Sequence, residues 1–269
     1  MSDWKNILVE REGSLGKITL NRPEARNPLD NLTAREVVEA LDQHFADDAV
    51  RSIVISGAGD AFCAGGDLRQ MEKFGTMPAA EAYGWPHYII EAHRRMLVAA
   101  KPVIAAVNGP ASAGGMGLAG MCDIVVAMES ASFAMPEVRI GLFPMIIVAH
   151  LSRSIPRKHL LEMMLTGDPM TVTEAWRLGF VNKIAKDRAE MDAIVARYAK
   201  RFEGVSPTAV ALGRRTFTLL ADMPASQALD AAQFLNLPFF MGADLREGAN
   251  AFLEKRKPQW AKFPPEKSS

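Results

Sequence analysis

Two well-separated segments carry the residues most able to do chemistry: Ala61-Phe-Cys-Ala-Gly-Gly-Asp-Leu68 and Ala105-Ala-Val-Asn-Gly-Pro-Ala-Ser-Ala-Gly-Gly-Met-Gly117. Each follows an apolar run of β type and sets glycines where backbone N–H groups can approach a ligand with no Cβ in the way. Two such amides converging on one oxygen form an oxyanion hole. Each donor of that kind is worth roughly 2.7–4 kcal/mol to a transition state that builds charge on a carbonyl oxygen. Glycines also make tight turns and nothing more, so the surrounding elements decide between the two readings.

Those elements alternate in type. Val9 to Asn21 reads as a strand hairpin turning near Gly13 to Gly16, and Arg51 to Gly57 as a further strand. Thr33-Ala-Arg-Glu36 has the form of a capping box, Leu32 and Val37 that of a hydrophobic staple, and Val37, Val38, Leu41 and Phe45 then recur at helical spacing. Strands are expected over Val103–Val107, Asp123–Ala127, Ser132–Ala134 and Phe180–Ile184, giving a repeated strand, strand, helix rhythm. Beyond about residue 188 only helical patterns remain. Ser206-Pro207 reads as an N-cap followed by proline at the first helical position, and Asp244-Leu-Arg-Glu247 as an acidic capping box. This tail is rich in Phe217, Leu220, Phe234, Phe239, Phe240 and Phe252, which suggests packing on the core or on a neighbouring subunit.

Composition excludes several classes of function. The 269 residues are 49% hydrophobic, enough for a core without staples, and carry 31 basic against 31 acidic residues. That balance gives no global field for nucleic acid or an anionic membrane surface. Cys63 and Cys122 are the only cysteines and lack ligand-like neighbours, so neither a disulfide framework nor a metal site is expected. The start of the chain lacks a basic stretch followed by an apolar one, so no signal peptide is expected, and a cytoplasmic location is the default. The uncharged run Pro102–Cys122 has the length of a membrane span, but its glycines, prolines and Asn108 make it a buried strand, loop and helix. Gly115-Met-Gly-Leu-Ala-Gly120 is a literal dinucleotide fingerprint, yet a Pro-Ala-Ser loop separates it from the preceding strand. Ser112 lacks the first glycine of a nucleophile elbow, and no histidine can be linked to it.

Five segments in order, Leu20–Leu29, Ala61–Leu68, Lys101–Gly109, Phe133–Leu142 and Phe252–Pro258, resemble the enoyl-CoA hydratase/isomerase, or crotonase, family over nearly the whole chain. The resemblance implies an α/β fold: a crotonase-like spiral of β-β-α units over residues 1–200 and an α-helical C-terminal trimerisation region over residues 201–269. It also implies a homotrimer or a dimer of trimers, and an acyl-CoA thioester as ligand. Coenzyme A is then part of the substrate, with no separate cofactor and no metal. By the same resemblance Gly66 and Gly114 supply the oxyanion amides and Glu137 is the base. A positioned carboxylate contributes about 10²–10⁴-fold, although a surface or salt-bridged glutamate is plausible with Arg139 two residues on.

The chain departs from the family pattern at two positions. Hydratases carry a second glutamate where Gly117 stands, and the hydrolase branch carries an aspartate where Met145 stands. Syn addition of water benefits from two carboxylates, whereas moving a double bond requires one base that takes a proton and returns it elsewhere. A single Glu137 therefore fits isomerisation, or hydration by one carboxylate alone, and hydrolysis is disfavoured. Loss of the second acid could also mark an acyl-CoA-binding protein without catalysis. Glu72, Glu81 or Glu91, in the stretch Gln70–His93, could supply another acid. Met116, Phe143 and Met145 suggest an oily acyl pocket, though such side chains are more often plain core. Arg26, Ala64, Asp67, Leu68 and Arg69 resemble contacts to the CoA moiety. Phe252 and Lys255 resemble residues that reach a CoA site from a neighbouring subunit, although Lys255 to Lys257 could equally be a solvated basic helix end.

Overall fold

The computed structural model describes residues 4–260, and residues 71–73 by their backbone course alone. A hairpin of β1 (Ile7–Glu12) and β2 (Leu15–Leu20) turns at Gly13, which sits at φ +59°. Helix α1 (Asn31–Ala46) returns the chain to β3 (Ser52–Gly57), parallel to β2. Three short helices, α2 (Leu68–Met71), α3 (Ala79–Gly84) and α4 (His87–Leu97), then lead to β4 (Val103–Val107). Next come β5 (Ala111–Ser112), α5 (Gly114–Gly120), β6 (Ile124–Met128) and β7 (Ser132–Ala134). A 3₁₀ turn over Pro136–Ile140 precedes α6 (Met145–Leu151), α7 (Arg157–Thr166), β8 (Met170–Thr171), α8 (Val172–Arg177) and β9 (Lys183–Ala185). The remainder is helical: α9 (Arg188–Glu203), α10 (Pro207–Ala221), α11 (Ala225–Leu235), α12 (Leu237–Met241) and α13 (Ala243–Leu253).

The main sheet runs β1-β2-β3-β4-β6-β9 and is parallel beyond the first hairpin. Alternation along its strands separates two cores. Val103, Ala105 and Val107 enter the larger one with Ile18, Ile53 and Ile55, while Ile104 and Ala106 face Met191, Ile194 and Val195 of α9. Full burial of such side chains stabilises by about 1.5–3 kcal/mol each, so the two-residue period of β4 fixes which side chains enter which core. A second sheet, β5-β7-β8, is short, with β5 parallel to β7. The sheets and the surrounding helices form a mixed α/β fold.

Two helix starts differ from the sequence expectation. The N-cap of α1 is Asp30, whose side chain accepts the Thr33 N–H at 2.7 Å, so the helix begins before the expected Thr33 box. Glu36 instead accepts the Lys5 and Asn6 N–H groups at 2.9 Å each and pins the chain entering β1. Its carboxylate has better donors there than a helix amide already capped by aspartate. Similarly, α13 starts from Gly242, and Asp244 accepts the Ser206 hydroxyl rather than forming an acidic box. Ser206 does cap α10, accepting the Ala209 N–H at 2.9 Å.

The last helices leave apolar surface exposed: Phe217, Leu229, Phe234, Phe240, Met241 and Phe252 are all more exposed than buried. Arg214 of α10 ties this region to the rest, bonding Asp123 and the carbonyls of Met96 and Ala99. No helix among the described residues is long and apolar enough to cross a membrane.

Candidate active site

Strands β3 and β4 are parallel neighbours, and the loops leaving their C-terminal ends carry the two glycine segments, as expected for a ligand site in a parallel sheet. The two-residue strand β5 stitches them together. On one side Ser112 N–H donates to the Cys63 carbonyl at 2.9 Å and Phe62 N–H to the Pro110 carbonyl at 3.1 Å. On the other side β5 pairs with β7, and Ala113 N–H donates to the Ala134 carbonyl at 2.8 Å. Glu137 follows Ala134 by three residues. The short sheet thus brings the Gly66 loop, the start of α5 at Gly114 and the Glu137 turn to one place.

Contact between the glycine segments is close. Gly65 lies at φ +89°, and a Cβ there would stand 2.6 Å from Ala113 Cβ and 3.2 Å from the Gly114 nitrogen. A Cβ on Gly114 would lie 4.0 Å from the Gly66 nitrogen. Among the described residues neither the Gly66 nor the Gly114 amide donates to another protein group. Ala113, the residue before Gly114, has φ +50° and ψ −125°, a conformation that costs a non-glycine residue about 1–3 kcal/mol. The surrounding hydrogen bonds hold it there and fix the direction of the next amide.

Glu137 is the second residue of the 3₁₀ turn and is half-buried. One carboxylate oxygen, Oε2, is buried without a partner, and burial pushes the pKa up, opposed in part by the residue's own N–H. Arg139 does not neutralise it; that guanidinium bonds Asp168 and the Thr166 carbonyl. The salt-bridged alternative for Glu137 is therefore absent among the described residues. A carboxylate with one buried, unpartnered oxygen is chemically able to act as a base, and two amides that donate to no protein group are able to hold a carbonyl oxygen.

Gly117 lies one turn into α5 and packs against Ile147 of α6. A Cβ there would meet Ile147 Cγ2 at 2.1 Å and Ile147 Cβ at 2.9 Å, so the position admits no side chain while Ile147 stays in place. The space is bordered by two histidines. His93 Cε1 is 3.7 Å from the same point, His150 Nε2 is 3.0 Å from the Gly117 carbonyl, and the rings of His93 and His150 meet edge to face. Burial lowers their pKa values to about 3 and about 4, so both are neutral near pH 7. The glycines of the dinucleotide-like run lie inside α5 and serve its close packing on Cys63, Ile147 and Leu151.

The remaining predicted residues are dispersed. Ala64 N–H is taken by the Arg26 carbonyl and Arg69 N–H by Asp67 Oδ1, at 2.9 and 3.1 Å. Arg26 is exposed in the left-handed region at φ +61°, and Leu68 is exposed at the start of α2. Met116 is fully buried in the main core, whereas Phe143 and Met145 are exposed in the stretch after Glu137. Phe252 and Lys255 stand at the end of α13, a region joined to Gly204 through Trp260. Of the other acids, Glu91 is held by Arg94 and Arg95, which lower its pKa, Glu81 is exposed, and the Glu72 side chain lies outside the described residues. Burial pushes the Cys63 thiol up to about 12. Among the described residues no group of His, Cys, Asp or Glu is arranged to hold a metal ion. Ile147, His93, Arg22 and Asn27 also shape the site, and their contacts cross between elements, which no local pattern announces.

The chain is similar to known proteins over nearly its whole length. A model of the enoyl-CoA hydratase/isomerase family matches residues 10–263. A Thermus thermophilus protein with a provisional enoyl-CoA hydratase name is 37% identical over 257 residues, which is 94% of this chain and 100% of that protein. A Rhizobium meliloti protein named as a probable enoyl-CoA hydratase is 34% identical, covering 96% of this chain and 98% of its own. The crystal structure of an enoyl-CoA hydratase from Mycobacterium smegmatis superposes with a TM-score of 0.87 at 33% identity, over 95% of this chain and 99% of the other.

Proposed function

Since the chain belongs to the enoyl-CoA hydratase/isomerase family, we propose that it shifts the double bond of an enoyl-CoA thioester, with Glu137 as the only proton carrier. In this reading the thioester oxygen is held by the Gly66 and Gly114 amides. The Glu137 carboxylate removes a proton from C2 of a 3-enoyl ester, and the electrons move onto the oxygen as a dienolate. They return as C4 accepts the proton from Glu137, leaving the double bond between C2 and C3. Free amides aimed at that oxygen stabilise the charge by roughly 2.7–4 kcal/mol each. The raised pKa of Glu137 brings it nearer to the weakly acidic carbon it serves.

One observation carries the choice of isomerisation: Ile147 fills the position at Gly117 from which a second carboxylate would reach the site. Hydration by Glu137 alone is the second reading, favoured by the hydratase names of the relatives. Arg26 and the backbone groups of Ala64, Asp67, Leu68 and Arg69 are proposed to receive the CoA moiety. Phe252 and Lys255 would do so from a neighbouring subunit, which fits their exposure. Phe143 and Met145 offer apolar surface to the acyl chain. The exposed apolar helices support a homotrimer or a dimer of trimers, and the buried free thiols suit the reducing cytoplasm.

The test is solvent-deuterium exchange at the acyl Cα, read by mass spectrometry with saturated, 2-enoyl and 3-enoyl CoA esters, for wild type and Glu137→Gln. Exchange with double-bond migration, lost in the variant, supports the reading. Formation of a 3-hydroxyacyl ester supports hydration. Esters that bind but neither exchange nor change would mark a binding protein without catalysis.

A further inference from the structure

The segment from Arg22 to Asp30 grips the loop that carries Gly66. The Arg26 carbonyl accepts the Ala64 N–H at 2.9 Å, and Leu29 N–H donates to the Gly65 carbonyl at 2.7 Å. Asn27, buried at φ +56°, donates its side-chain amide to the Ala58 and Ala61 carbonyls at 2.9 Å each. Its Oδ1 accepts the Arg22 N–H, also at 2.9 Å. The Arg22 guanidinium in turn reaches two carboxylates, Asp30 Oδ2 at 2.8 Å and Asp67 Oδ2 at 3.4 Å. The three side chains are only 19%, 12% and 12% exposed, so solvent screens them weakly.

Asp67 directly follows Gly66, and its Oδ1 accepts the Arg69 N–H at the start of α2. The helix start is served by a side-chain acceptor at position 67. Aspartate meets that need but places a negative charge one residue from an amide that is to stabilise negative charge. We infer that Arg22 is a positioning residue that acts through Asp67: it neutralises this carboxylate and holds the Gly66 loop in register with Asp30. The inference rests on reading Gly66 as an oxyanion donor.

The experiment compares Arg22→Met, Asp67→Asn and the double variant in the full chain, measuring kcat and KM with an enoyl-CoA ester that wild type converts, alongside Glu137→Gln. Asparagine keeps an oxygen for the helix start while removing the charge. A unit charge on the order of 10 Å from the developing enolate, at an effective dielectric constant of about 20, changes the rate roughly ten- to twentyfold. Arg22→Met is expected to lower kcat by about tenfold with a smaller change in KM. The double variant is expected to recover most of that loss, which a purely structural role for Arg22 would not produce. A double variant as slow as Arg22→Met, or an Arg22→Met enzyme at full rate, overturns the inference. If Arg22→Met does not fold, Arg22→Lys against Arg22→Gln carries the same test, since only lysine keeps the charge, and equal rates overturn it. A wild type that converts no ester overturns both this inference and the proposed function. Activity that Glu137→Gln abolishes, without recovery in the double variant, overturns this inference alone.

Discussion

Placing a methyl group at Gly117 tests the geometry on which the single-base reading depends. Gly117→Ala sets a Cβ 2.1 Å from Ile147 Cγ2, where carbon atoms ordinarily rest about 3.5–4.0 Å apart. Ile147 is buried on α6, and its β-branch leaves one preferred rotamer in a helix, so relief requires α5 and α6 to move apart. Overpacking of this kind costs about 1–3 kcal/mol. Ile147→Ala alone removes the obstacle and leaves a cavity, at a cost of about 2–5 kcal/mol. In the double variant the new methyl occupies part of that cavity, so the two costs should fall short of their sum by about 1–3 kcal/mol. Urea unfolding of the four proteins at one fixed concentration measures this, because the stability of an oligomer depends on concentration. Costs that add within about 0.5 kcal/mol would mean that Ile147 does not fill the space above Gly117. The argument against a second carboxylate would then fail.

Further predictions concern charge and surface. Glu137→Gln should lower Cα exchange by about 10²–10⁴-fold, and the acid limb of kcat/KM should lie above the ordinary carboxylate range because burial raises the Glu137 pKa. A carboxyl whose pKa is higher folded than unfolded contributes stability below the unfolded value and loses it as pH rises through the folded one. Thermal melts at neutral pH should therefore find Glu137→Gln more stable than wild type, and a lower melting temperature would contradict the burial argument. His93 and His150 have the opposite sense for stability on acidification. Their pKa values fall from 6.5 to about 3 and about 4, so the unfolded chain binds more protons, and stability should drop as pH falls below about 6.5. Each contributes up to about 1.4 kcal/mol per pH unit, and His93→Gln should flatten that slope in urea titrations between pH 6.5 and 4. Sedimentation should show an oligomer that Phe240→Glu weakens, while a monomeric wild type would refute burial of the helical apolar face between copies.

Much of the frame was legible in the sequence because it rests on local periodicity. The continuous apolar run Val103–Val107 marks a strand with two buried faces, and the glycine segments fall where the parallel strands end. Ser206 is legible as an N-cap because the motif is local. The Thr33 box is not, because Asp30 competes for the same amide and Glu36 is recruited by Lys5 and Asn6 from another element. The proposed site can be read from the sequence where it consists of backbone and one glutamate. It is not legible where partners come from afar: Arg22 with Asp67, Asn27 with Ala58 and Ala61, Ile147 with Gly117. The freedom of Glu137 from Arg139 also needed the fold, since only packing of α7 against the Glu137 turn puts Asp168 within reach of that arginine.

The division of labour in this site has a consequence for how its chemistry can change. Charge stabilisation is assigned to two amides, held by the hydrogen bonds of β5 and by the strained Ala113, and no side chain is needed for it. Substitution at Gly117 or Ile147 alters what sits beside the thioester and leaves those amides in place. On the proposed reading, the same cradle serves isomerisation or hydration according to whether a carboxylate or an isoleucine occupies one small volume. Gly117→Glu combined with Ile147→Ala should then fold better than Gly117→Glu alone. It should also shift products of a 2-enoyl ester toward the 3-hydroxyacyl ester, measured by incorporation of ¹⁸O from labelled water. Folding without any gain in ¹⁸O incorporation would show that the partition between the two reactions is set elsewhere, most directly by the reach of Glu137.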